Sequence, residues 1–386
     1  MLQLIKNTEL YAPQYKGKKD ILTVNDRIVK IEDEINITGI GIQVVDGTNT
    51  KCIPGIIDRH VHITGGGGEG GFASSTPEVQ ISTIIQQGIT TVVGLLGTND
   101  LARNTKNLLA KAKALREEGL NAYILTGGYG YPPNTITDDI RDDIMYFNEV
   151  LGLKLAIEDH RSSYVMKEEL KRLAAHVRVA SMLSKKHGFI HLHMGNGQGL
   201  YEMIYEILNE TDLPISLFSP THINRNTRLL DASIEFAKRG GLVDITSNIN
   251  LVTEGKTITP SKALVHLLNH GVDIDQITIS SDAHGSMPVF DENGQFIGLE
   301  VAGFEPTLHT LRDLVNQEGL PIDQALRPFT MNPAKGLGIS HERGVIVENG
   351  YADLVLLDEK LHVRDVFVGG IPFMKNYEIV KKGMFE

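Results

Sequence analysis

Three features of the sequence predict an α/β fold, a (β/α)8 TIM-type barrel with a small β-sandwich-like domain built from both chain termini. Between residue 54 and about 340, apolar β-rich runs alternate with helical stretches eight times, the form taken by repeated β-α units. The first of these runs ends in His60-Val61-His62 and passes straight into a glycine-rich turn. Both ends of the chain read instead as short alternating strands. At 386 residues the chain exceeds a typical domain, and a barrel with a small attached unit accommodates it.

Residues 1–53 hold strands at 2–5, 20–24, 27–32 and 41–45, with Asn25-Asp26 as a turn between two of them. Barrel strands are expected at 56–62, 90–96, 122–126, 153–157, 189–193, 215–218, 243–246 and 277–280. Helices at 77–87, 102–118, 167–186, 200–208, 227–238 and 261–269 separate them. Several stop at a glycine such as Gly88, Gly119 or Gly188, which accepts the left-handed backbone of a helix end. Strands return at 344–347, 352–357, 362–368 and 378–381, around an Asn349-Gly350 turn. The division is therefore 1–53 and 341–386 for the two parts of the β domain and 54–340 for the barrel.

Composition narrows the partners. A hydrophobic content of 41% and a charged content of 22% are ordinary for a soluble globular protein. No run approaches the roughly 18 apolar residues of a membrane span, so no membrane partner is expected. The first residues, Met-Leu-Gln-Leu-Ile-Lys-Asn, lack the parts of a signal peptide, and the single cysteine, Cys52, excludes an internal disulfide. A cytoplasmic protein is the expectation. Acidic residues outnumber basic ones by 48 to 37, a net charge of −11, which offers no footprint for nucleic acid. A small-molecule partner fits better.

In a barrel of this kind the chemistry sits where strands end and βα loops begin. Strand side chains alternate, so His60 and His62 project from one face. The glycines after them allow close approach to a ligand, and Glu69 adds a negative charge there. The fourth strand carries Lys154 inside Leu-Gly-Leu-Lys-Leu-Ala-Ile, where burial disfavours an ammonium; a neutral amine, or an anionic derivative beside metal cations, resolves the conflict. The fifth strand ends in His193, the sixth is followed by Thr-His222, and the eighth by Ser-Ser-Asp282. Each alone has a structural explanation, as a cap or a satisfied polar residue, but together they point to a metal site. His191, two residues before His193, reads as an inner-layer polar residue.

Those residues resemble the amidohydrolase superfamily and, more closely, its isoaspartyl dipeptidases. The resemblance spans nearly the whole chain. It rests on Pro-Gly-Ile-Ile-Asp-Arg-His60-Val-His62 with Gly-Gly-Gly-Gly-Glu69, Leu-Leu-Gly-Thr98, Thr-Gly-Gly-Tyr129, Lys154 with Ala-Ile-Glu-Asp-His-Arg161-Ser, His193-Met-Gly, Pro-Thr-His222-Ile-Asn-Arg225, and Ser-Ser-Asp282-Ala-His-Gly-Ser286. His284 is not part of that pattern. The resemblance implies two zinc ions: His60, His62 and Asp282 on one, His193 and His222 on the other, and a carboxylated Lys154 bridging both. It further implies hydrolysis of β-aspartyl dipeptides by a metal-bridging hydroxide, with Asp282 moving the proton and Tyr129 stabilising the oxyanion. Glu69 would pair with the substrate's α-amino group, and Thr98, Arg161, Arg225 and Ser286 would hold its carboxylates. Family members commonly form homo-oligomers. The rival readings are hydrolysis of a cyclic amide or an N-acyl amino acid on the same centre, or a catalytically silent metal-binding protein.

Overall fold

Eight parallel strands, each hydrogen-bonded to the next in sequence order, form the core of the computed structural model, which describes residues 1–37, 39, 41–249, 258–291 and 295–386. They are Ile56–Val61, Ile89–Gly94, Asn121–Gly127, Val150–Ile157, Ile190–Met194, Phe218–Thr221, Val243–Thr246 and Ile277–Ser280. The ring closes between the first and the eighth. Val61 bridges Ala283 in parallel; the N–H of His62 donates to the carbonyl of Ala283 at 2.9 Å, and that of Asp282 to the carbonyl of His60 at 3.0 Å. Asp58 reinforces the seam, because its buried Oδ1 accepts from the N–H groups of His60 (3.2 Å) and Ser281 (3.1 Å).

Helices cover the outside of the barrel. Thr105–Glu117 and Thr227–Lys238 start where Asn104 and Asn226 accept from the N–H groups of Asn107 and Leu229, each at 2.9 Å. The second of them buries Leu229, Leu230, Ser233, Phe236 and Ala237, a stripe at helical spacing. Fully burying a side chain such as Phe236 contributes about 1.5–3 kcal/mol. Below the strands, Ala334 and Leu337 of the helix Met331–Leu337 pack with Ile57, Leu151 and Phe189.

The β domain expected from the termini is a nine-stranded sheet. The N-terminal strands Leu2–Tyr11, Tyr15–Val24 and Arg27–Glu32 form an antiparallel meander, and Ile42–Asp46 and Lys51–Pro54 pair parallel with the first of them. The C-terminal strand Leu354–Leu357 then pairs with Lys51–Pro54, and Val363–Val368, Ile371–Lys375 and Glu378–Ile379 extend the sheet. Among the described residues no helix is long and apolar enough to cross a membrane.

Some elements differ from expectation. The sixth barrel strand runs three residues later than the apolar run 215–218, of which Ile215–Leu217 forms a 3-10 turn. Pro220 obscures that strand in the sequence, yet it pairs with Leu192 and leaves Ser219 and Thr221 to face polar partners inside the barrel. Residues 344–347 run as a bend and irregular backbone in place of a strand, and helix 77–87 shrinks to Ile81–Ile85. A hairpin, Ser286–Phe290 with Phe296–Val301, and the helices Ile140–Tyr146 and Glu305–Asn316 were not anticipated.

The seam gives a stability test. Asp58→Ala strands two buried N–H groups and is expected to lower the unfolding free energy by about 2–4 kcal/mol in urea titration, with Asp58→Asn losing less because an amide oxygen still accepts. Equal stability of the alanine variant and the parent would show that the backbone alone closes the barrel.

Candidate active site

The loops that follow the strands bring the sequence-predicted residues to one end of the barrel. A cavity of about 260 Å³ is lined by all of them except His60 and Lys154, which are themselves fully buried. His60 and His62 both turn Nε2 toward Oδ1 of Asp282, each at 3.1 Å, and these three groups are close enough to share one metal ion. The His193 and His222 rings lie 4.6 Å apart, and the His60 and His222 rings 4.9 Å apart. His222 and Asp282 both have left-handed backbone, φ +63° and +59°. A non-glycine residue holds that conformation only where its surroundings impose it, as functional sites do.

Close approach explains part of the glycine content. A Cβ on Gly97 would stand 2.9 Å from Cε1 of His62, and one on Gly67, which has φ +75°, would meet the carbonyl of Ser74 at 2.5 Å. The turn is pinned across the seam, from the loop after the eighth strand: the carbonyl of His284 accepts from the N–H of Gly66 (3.0 Å) and the hydroxyl of Thr76 (2.5 Å). The His284 ring faces away, with Nδ1 2.9 Å from the carbonyl of Pro77. Its part at the rim is therefore played by its backbone.

Electrostatics suit the imidazoles to a ligand role. Burial, then the nearby Lys154, pushes His60 down to about 3, and burial holds His193 and His222 well below the usual histidine range. All three are neutral at pH 7. Burial raises Asp282, but the imidazoles of His60 and His222 outweigh it and keep the carboxylate ionised. Lys154 is lowered to about 7, chiefly by burial, and Nζ has no hydrogen-bond partner among the described residues. Burial raises Tyr129, so its phenol stays protonated.

Above this cluster the cavity wall is charged. Arg161 reaches Glu69 at 3.4 Å and stands 5.5 Å over the Tyr129 ring. Asp159 organises both guanidiniums, at 2.9 Å from Arg161 Nη2 and 3.3 Å from Arg225 Nη1, and it also accepts from Nε2 of His193 at 2.8 Å. With that nitrogen protonated, His193 keeps its lone pair on Nδ1, which faces the Tyr129 hydroxyl at 2.6 Å. Asp159 does not stand out from the sequence as a site residue. Its signal is the charged run Glu158-Asp159-His160-Arg161 directly after the fourth strand. Thr246 is equally inconspicuous; its hydroxyl lies 2.6 Å from Nδ1 of His222 and leaves Nε2 free. A second group able to share a metal, His60, His191 and Asp244, lies deeper in the barrel.

The donor set is one of nitrogen and carboxylate groups on successive strand ends of a barrel, and the profile of the amidohydrolase family matches residues 52–385. The chain belongs to the amidohydrolase family. Among solved structures of amidohydrolases similar to it is a β-aspartyl dipeptidase from the thermophilic, keratin-degrading Fervidobacterium islandicum AW-1, in complex with β-Asp-Leu dipeptide: 39% identical, covering 98% of each chain, TM-score 0.89. A second structure of that organism's β-aspartyl dipeptidase is 36% identical over 98% of each chain, TM-score 0.88. These matches bear out the resemblance read from the sequence. A dihydroorotase of Streptococcus pneumoniae serotype 4 is 24% identical over 403 residues, 92% of this chain and 90% of that one.

For this amidohydrolase, Asp159→Ala is expected to weaken the binding of an added divalent metal about 10- to 100-fold, because His193 loses the partner that orients it. Competition with a chelator measures the change. An unaltered affinity would mean that strand geometry alone orients His193.

Proposed function

We propose that this amidohydrolase is a zinc-dependent β-aspartyl (isoaspartyl) dipeptidase, with hydrolysis in the barrel of residues 54–340 and the flanking β domain formed by 1–53 and 341–386. The observation that carries this reading is a charge pattern. One acid, Glu69, and two guanidiniums, Arg161 and Arg225, line the cavity into which His62, His193, His222 and Asp282 also open. An isoaspartyl dipeptide is the complement: one free ammonium, two carboxylates, and a β-carbonyl in the scissile amide. The Fervidobacterium structure with β-Asp-Leu supports the same substrate class.

The residues present fit a dinuclear zinc centre. Neutral imidazoles and an ionised carboxylate are zinc donors, and the orphaned, deeply buried Nζ of Lys154 is the misfit that carboxylation removes. A lysine lowered to about 7 is present in part as the free amine at neutral pH, and that form adds carbon dioxide and releases a proton to give an anionic, two-oxygen carbamate. His60, His62 and Asp282 would hold one ion, His193 and His222 the other, and carboxylated Lys154 both. When bound, zinc supplies the Lewis acidity that polarises the scissile carbonyl and makes hydroxide available at neutral pH.

The protein's own groups do the rest. Glu69 accepts from the substrate ammonium, and Arg161 and Arg225, braced by Asp159, take the carboxylates with help from Thr98 and Ser286. Tyr129 donates its phenolic proton to the carbonyl oxygen as negative charge develops there. Asp282 carries a proton from the attacking water to the leaving amine, which departs poorly until protonated. A cytoplasmic site of action, consistent with the lone buried Cys52, and a homo-oligomeric assembly, consistent with the exposed Val179, Met182 and Leu183 on one helix, belong to the same proposal.

The dihydroorotase likeness favours a second reading, opening of a cyclic amide on the same centre. Glu69 and the arginines separate the two, because a cyclic amide offers them no ammonium and no pair of carboxylates. Leaving one charge unpaired in a closed site costs about 2–5 kcal/mol, roughly a 30- to several-thousand-fold loss in kcat/KM. Efficient cleavage of β-Asp-Leu is therefore expected, with weak cleavage of the α-linked isomer and near loss with N-acetyl-β-Asp-Leu; Glu69→Gln should erase the preference for the free amine. Equal kcat/KM on free and acetylated peptides would move the assignment to a deacylase.

Lys154→Ala is expected to lose bound metal and turnover together, with partial return of both on adding a small carboxylic acid that fills the gap. Full zinc content and full activity in that variant would exclude the bridging carbamate.

A further inference from the structure

The interior of this barrel is unusually polar beneath the cluster. Where such barrels commonly stack branched aliphatic side chains, this one buries Arg59, His60, His191, Ser219, Asp244 and Thr278. Arg59 donates to Ser219 at 2.9 Å and reaches Thr278 at 3.5 Å, and the Thr278 hydroxyl donates to Oδ1 of Asp244 at 2.6 Å. Hydroxyls of Thr221 and Ser280 donate to the other oxygen of Asp244, each at 2.6 Å. With three hydroxyls on its two oxygens Asp244 is held as an anchored anion beneath the histidines. His191 stands between this anchor and the cluster, with Nε2 3.0 Å from Nδ1 of His60.

We propose that His191 is a positioning residue that fixes the His60 ring for metal binding. This inference rests on the reading of His60 as a metal ligand. The contact between Nε2 of His191 and Nδ1 of His60 holds the ring so that its other nitrogen, Nε2, is directed at Asp282, 3.1 Å away. A histidine ligand commonly gives its second nitrogen to a carboxylate, a backbone carbonyl or water, which sets the orientation of the ring. Here that partner is an imidazole, and Asp244 lies beneath it, with a carboxylate oxygen within 4.8 Å of ring nitrogens of both histidines. His191 also lies two residues before His193 on the same strand, so one strand supplies a ligand and the support of another ligand.

The test is zinc affinity of the metal-stripped, full-length chain, measured by chelator competition. His191→Met fills the space without a comparable hydrogen bond, whereas His191→Gln presents an amide that can donate or accept. Loss of roughly 10- to 100-fold in affinity is expected for the methionine variant, the usual scale for a partner of a ligand. The glutamine variant should return to within about threefold of the parent, and KM for β-Asp-Leu at saturating zinc should be unchanged in both. Should the methionine variant fail to fold, His191→Asn, polar but one methylene too short, takes its place with the same expectation. Affinity in the methionine or asparagine variant within about twofold of the parent, with parent zinc binding intact, would overturn the role of His191 alone. A parent chain that binds no zinc would overturn the metal-centre reading as well.

Discussion

The seam between the first and eighth strands sets the site. Its closing hydrogen bonds run through the backbone of His60, His62 and Asp282, the three residues whose side chains converge most closely. Closing the barrel and assembling that part of the histidine–carboxylate cluster are therefore one event. Asp58 links the two, since its buried oxygen accepts from the N–H of His60 and from that of Ser281, next to Asp282. Rigid strands hold such constellations more accurately than loops can, and here the residues that close the barrel are the ones whose side chains meet.

Buried charge is the second constraint. An amine in an apolar strand is costly unless it is neutral or chemically changed, and Lys154 sits at that extreme. Asp159 answers the opposite problem, two guanidiniums and an imidazole beside one cavity. One carboxylate serves all three, so the placement of the two arginines and the orientation of His193 are coupled. In the same way Arg59 and Asp244 balance each other across a threonine hydroxyl rather than in direct contact.

The barrel and the convergence of its polar residues were legible because period and position carry them. Apolar runs alternating with helical ones mark the strands, and a histidine, lysine or aspartate at a strand end stands out against that pattern. Asp159 was hidden because an aspartate after a strand also reads as a helix cap, and nothing local shows that Arg225 and His193, distant in sequence, return to it. The sixth strand was misplaced because Ser-Pro-Thr carries no strand pattern; its place is fixed by neighbours, since Thr221 faces Asp244 and Pro220 pairs with Leu192. The hairpin Ser286–Phe290 with Phe296–Val301 escaped for a related reason: its second strand is largely exposed and lacks the inward-outward alternation of a half-buried strand. Helix Glu305–Asn316 could have been read, because Pro306 occupies a helix-start position.

The order of strands in the terminal sheet bears on how the molecule is made. Leu354–Leu357 adds to the edge of Lys51–Pro54, and every later strand adds outward from there. During synthesis the edge at Lys51–Pro54 thus waits, unpaired, while about 300 residues of barrel emerge. Cys52 and Ile53, fully buried in the finished protein, lie on that waiting edge. An unpaired apolar edge recruits other chains, so the nascent protein is at greatest risk of aggregation late in translation, after the barrel strands have emerged. Shortening the last strands would therefore harm the yield of folded protein before it touched the chemistry.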